Sequence, residues 1–107
     1  MSDDDDTPLH RWRAARPIGR GLARGELQLT RTHVVFEPKG FAKRVQGTRF
    51  AVALRHIAAV GTVPGSGGVF SGGKADRLCI TLSDGSPWEF VVGGVDEVRA
   101  EIAAALG

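Results

Sequence analysis

The stretch RLCITLSDGSPWEFVV, residues 77–92, decides how the chain is read. Leu78, Ile80 and Leu82 fall on one face and Cys79 and Thr81 on the other, a period of two that specifies a half-buried strand. Ser83-Asp84-Gly85-Ser86 then supplies a hairpin turn, because Asp and Gly tolerate the left-handed backbone such turns need. Trp88, Phe90 and Val92 resume the alternation on the way back. The segment is therefore expected to be an antiparallel hairpin.

This reading settles the stretch before it. GVFSGGKAD, residues 68–76, reproduces the first seven positions of the phosphate-loop pattern G-x-x-x-x-G-K-[ST]. The eighth position is Ala75, which has no hydroxyl for the magnesium that accompanies a nucleotide. A phosphate loop must also run into a helix, whose N-terminus offers free N–H groups and a favourable dipole. Here it runs into a strand. With helix and hydroxyl both missing, the segment reads as a flexible strand-to-strand connection, Lys74 as a solvated charge, and no nucleotide is expected.

Beyond the hairpin, Gly93-Gly94 breaks the strand pattern. Val95, Val98, Ile102 and Leu106 follow at spacings of three and four, one apolar stripe along a helix. Asp96 and Glu97 suit its positive N-terminus, and Gly107 its exit. Upstream, Leu27 and Leu29 share a face, Thr30 to His33 form a polar turn, and Val34-Val35-Phe36 continue until Pro38 stops the strand. An earlier strand is expected between Trp12 and Ile18. PKGFAKRVQGT, residues 38–48, reads as a basic loop, Phe50, Val52 and Leu54 as another strand, and Ile57 to Val63 as a further one. The order is about seven short strands and then one helix. Residues 1–8 read as a mobile acidic tail, and 9–107 as one domain.

The chain has 107 residues, 42% of them hydrophobic and 24% charged, enough for a single core. Its start, MSDDDD, has neither the positive cluster nor the apolar run of a secretory signal, so a cytoplasmic protein is expected. The longest uncharged stretch, 56–73, contains six glycines and a proline and cannot serve as a membrane helix. Cys79 is the only cysteine, and His10, His33 and His56 are scattered, so neither a disulfide nor a metal site is expected. No serine sits in a G-x-S-x-G elbow and no histidine lies near Cys79, which argues against an enzyme. The net charge of +2 conceals an asymmetry. Residues 7–60 hold 11 basic side chains against Glu26 and Glu37, whereas residues 61–107 hold 3 basic against 6 acidic. Such a split suits an anionic partner for the first half, or simply a solvated basic face. The abundance of Ala, Gly, Arg and Val suits a GC-rich bacterial coding sequence.

GELQLTRTHVVFEP, residues 25–38, resembles the opening hairpin of GRAM domains, members of the pleckstrin-homology-like superfold, with Gly25, Leu27, Leu29, Thr30, Val34, Phe36 and Pro38 at the matching positions. FAVALRHIAAV is similar to the family's strand leading through an Ile-x-x-Val step (Ile57, Val60). LCITLSDGSPWEFVV is similar to its last hairpin. The resemblance implies a mostly β fold, a strongly bent seven-stranded antiparallel barrel capped by one amphipathic C-terminal helix.

It also implies a non-catalytic binding module without a cofactor. In lipid-binding relatives a basic pocket forms at the open rim of the barrel, from the loop joining the first two strands and the loop joining the third and fourth. Here these are GRGLARG, with Arg20 and Arg24, and PKGFAKRVQG, with Lys39, Lys43 and Arg44. Each cation near an anionic bilayer contributes about 1 kcal/mol, so five would give salt-sensitive docking at the inner face of a membrane. Phe41 has two readings, one dipping into the interfacial layer and one capping the core. The dense Lys/Arg cluster of tight phosphoinositide binders is absent. The alternative is a protein partner or self-association, through a groove between an edge strand and the terminal helix. Nucleic acid ranks last: RWRAAR places Trp12 among arginines as a stacking platform would, but no second aromatic is interleaved.

Overall fold

The structure is a computed structural model, and it describes residues 7–18, 21–40, 49–64 and 76–107. Its elements are β1 (His10–Ile18), β2 (Gly21–Leu29), β3 (His33–Pro38), β4 (Phe50–Ala53), a single 3-10 turn (Leu54–His56), β5 (Ile57–Val63), β6 (Arg77–Leu82), β7 (Pro87–Val92) and α1 (Val95–Leu106). The expected hairpin over 77–92 is present, with Leu78 opposite Phe90 and Ile80 opposite Trp88. Its turn uses Gly85 at φ +89°, and the Asp84 carboxylate accepts hydrogen bonds from the Ser86 N–H at 2.9 Å and hydroxyl at 2.7 Å. The β2–β3 turn is closed similarly: the Thr30 hydroxyl oxygen accepts from the N–H groups of Thr32 and His33.

All pairings are antiparallel, in the order β4-β3-β2-β1-β7-β6-β5. β1 and β2 pair along nine residues each, whereas β1 meets β7 only at Ala14 and Ala15. At that narrow junction the sheet folds over on itself. Phe36 and Phe50, from one half, reach Phe90 in the other at ring-centroid distances of 5.7 and 5.5 Å. Leu27, Leu29, Val34, Leu78 and Ile80 fill the space between the halves and are almost fully buried. The sheet is strongly bent but not closed into a barrel, because β4 and β5 remain its two edges.

Helix α1 covers the core with Val98 and Ile102 buried and Val95 and Leu106 packed at its margin, the stripe read from the sequence. Gly94 enters it at φ +65°, a conformation that glycine adopts without strain. His10 Nε2 lies 3.2 Å from Glu101 Oε1 and links β1 to the helix.

Three boundaries differ from the sequence reading. Leu54 does not continue β4; its N–H donates to the Thr32 carbonyl at 2.8 Å and the chain turns there into the 3-10 turn. β1 begins at His10 rather than Trp12. From Gly21 onward GRGLARG is strand rather than loop: β2 starts there, with Ala23 buried on the inner face and Leu22 and Arg24 exposed on the outer, while residues 19–20 lie outside the described residues. The acidic residues 1–6, the glycine-rich 65–75 with Lys74, and 41–48 of the basic loop lie outside the described residues.

Candidate functional site

Alternation along β1 and β2 sorts their side chains between two faces. Trp12, Ala14 and Arg16 of β1 face the core side together with Ala23, Leu27 and Leu29 of β2, while Arg11, Arg13, Leu22, Arg24 and Glu26 occupy the convex face. Gly25 fixes how β3 joins them. A Cβ there would overlap the Glu37 carbonyl oxygen and lie 2.9 Å from both the Phe36 ring and Pro38 Cα, so only glycine permits this approach. The approach lets the Lys39 N–H donate to the Arg24 carbonyl at 3.0 Å, which sets Lys39 beside Arg24.

The result is an open depression of about 530 Å³ on the convex face, lined by Arg13, Ala15, Leu22, Arg24, Lys39 and Val91 among others. Lys39 Nζ is 3.6 Å from Glu26 Oε2, yet its side chain remains 63% exposed. Glu26 Oε1 accepts a hydrogen bond from Gln28 Nε2 at 2.8 Å. That bond, with Lys39 and Arg11 nearby, holds the Glu26 carboxyl below its ordinary range. Neither Arg13 nor Arg24 has a carboxylate partner among the described residues. Three cations around a partly apolar hollow make a surface that attracts anions without enclosing them.

Of the six site residues expected from sequence, the structure brings Arg24 and Lys39 together. Arg24 reaches the site from a strand, not from a loop, and on the convex face. Arg20, Phe41, Lys43 and Arg44 lie outside the described residues. Arg13 and Leu22 belong to the site and were missed. Their signal was the alternation in RWRAA and GLARG, obscured because arginines fill places where a strand usually shows its polar and apolar faces more plainly.

On the opposite side, the Arg16 guanidinium stacks 4.5 Å above the Trp88 ring, and burial lowers its pKa from the ordinary value. Trp12 packs against the core and is stacked on His10, 5.4 Å between ring centroids and 7° between planes. It is an anchor rather than an open stacking platform. Cys79 is partly buried on β6. Among the described residues no three His, Cys, Asp or Glu side chains gather as metal ligands, and no helix is long and apolar enough to cross a membrane.

No protein-family model and no curated protein matches the sequence. Solved structures match its fold. The C-terminal domain of a Leishmania infantum protein superposes with a TM-score of 0.69 at 14% identity, over 94% of this chain and 84% of that one. The DH/PH domains of p115-RhoGEF give 0.63 at 14% identity, over 94% of this chain and 30% of that one. The Slm1-PH domain in complex with phosphoserine gives 0.59 at 14% identity, over 92% and 91%.

The fold is pleckstrin-homology-like. In this pleckstrin-homology-like sheet, the convex site spans β1, β2 and the residue that follows β3, and the Arg16–Trp88 stack lies on the other side of the same β1–β2 ribbon.

Proposed function

We propose that the chain is a non-catalytic pleckstrin-homology-like module of the GRAM type that docks reversibly on an anionic membrane surface, at the cytoplasmic face, through Arg13, Arg24 and Lys39. The observation that carries this reading is their convergence around one open hollow, with two of the three unpaired by any carboxylate among the described residues. The phosphoserine in the similar Slm1-PH domain supports the same ligand chemistry, a small anionic headgroup. Arg20, Lys43, Arg44 and Phe41 adjoin these positions in sequence, and the proposal adds them to the docking surface.

At about 1 kcal/mol per cation near the bilayer, three described cations contribute about 3 kcal/mol, roughly a hundredfold in affinity. Cosedimentation with phosphatidylcholine vesicles containing phosphatidylserine tests this. Binding rises with the anionic fraction, weakens with salt, and falls by about that factor in an Arg13→Ala, Arg24→Ala, Lys39→Ala variant. No binding at low salt contradicts the reading.

One observation favours a protein partner as a second reading. β5 is an edge of the sheet, and its sequence, IAAVGTV, has none of the charges that usually guard an exposed edge. An extended peptide could add there as an eighth strand.

A further inference from the structure

Opposite charges are left uncompensated at two places on this small domain. Arg13 and Arg24 stand at the convex hollow without a carboxylate partner among the described residues. Asp96 and Glu97, in the first turn of α1, are exposed and likewise make no ion pair among the described residues. The acidic pair suits the positive start of its own helix, but that role leaves both side chains open to solvent.

The two places are close along the chain. Val91 lines the hollow, Val92 pairs with Ala14 of β1, and after Gly93 and Gly94 the helix begins at Val95. Beyond its acidic turn α1 exposes Ala100 and Ala104, which follow Glu97 at helical spacings of three and then four residues and so share its face. That face is acidic at its start, then low and apolar. The hollow is its complement: cations surround Leu22, whose side chain is 53% exposed.

We infer that two copies of this chain associate about a two-fold axis, the outer face of α1 in each lying over the convex hollow of the other. Asp96 and Glu97 of one copy then meet Arg13, Arg24 and Lys39 of the second, and Leu22 packs on Ala100 and Ala104. A second copy is the favoured occupant because one chain carries both halves of the match, and a two-fold contact uses each half twice. The surface covered is the one proposed to dock on membranes, so pairing and docking exclude each other.

Sedimentation velocity of the full chain without lipid, at low and at high salt, tests the pairing. At low salt the wild type is expected to shift from monomer to dimer as its concentration rises, and to return to monomer at high salt. An Asp96→Lys, Glu97→Lys variant and an Arg13→Glu, Arg24→Glu variant, each folded by circular dichroism, should self-associate at least about tenfold more weakly, because like charges then face each other. Mixing the two restores the dimer, since both contacts of the mixed pair are again opposite in sign. Arg31→Glu, Arg55→Glu, at exposed turn positions outside both patches, carries the same net charge as the other arginine variant and dimerises like wild type. Wild type that stays monomeric at low salt, patch variants that associate like wild type, a mixture that stays monomeric, or growth beyond the dimer overturns the two-fold pairing. None of these outcomes bears on docking, which is read from vesicles.

Discussion

The rings of Phe50 and Trp88 lie 4.7 Å apart between centroids, although their strands, β4 and β7, stand four positions apart in the sheet. In a flat sheet, four strand spacings would separate them by roughly 19 Å. Their contact is therefore a direct measure of the bend that brings the two halves together. Phe50→Ala is expected to cost about 3–5 kcal/mol, because it opens a cavity between both halves at once. A drop in the urea midpoint and a red shift of Trp88 emission would report it. A substitution that leaves the midpoint unchanged would mean that the halves are held together elsewhere.

Gly25 makes a separate prediction, since its cost comes from backbone rather than from lost burial. Gly25→Ala must push β3 away from β2, at about 1–3 kcal/mol. The same shift breaks the hydrogen bond from Lys39 to Arg24. Vesicle binding should therefore weaken even under conditions where the variant remains folded by circular dichroism.

Glu26 links stability and binding to pH with opposite signs. Its carboxyl is held below the ordinary value of 4.5, first by the Gln28 hydrogen bond and then by Lys39 and Arg11. A depressed carboxyl stabilises the fold fully above that ordinary value, and the contribution fades as pH falls through the lower folded value. Urea unfolding from about pH 6 to pH 3 should show Glu26→Gln with a flatter acid limb than wild type. The same variant removes the negative charge beside Lys39 and should bind anionic vesicles more tightly, by a few-fold.

The period of two in residues 77–92 and the helical stripe ending at Leu106 were legible because a buried face imposes its pattern on consecutive side chains. The basic site was legible only in its composition. A strand read from apolar alternation loses its signal at GLARG, where glycine contributes no side chain and the inner position is only Ala23. Arg24 therefore looked like a loop residue. The turn at Leu54 was invisible for another reason: an apolar side chain continued the alternation, while a hydrogen bond to Thr32, distant in sequence, turned the backbone. The bend itself belongs to contacts such as Phe50 with Trp88, which no local pattern encodes.

Amide signals followed by NMR while anionic bicelles are added test the location of docking most directly. Broadening and shifts concentrated at Arg13, Leu22, Arg24 and Lys39, and reversed by salt, are the expected result. Perturbations confined to β5 and α1, or none at all, would contradict membrane docking through the convex face.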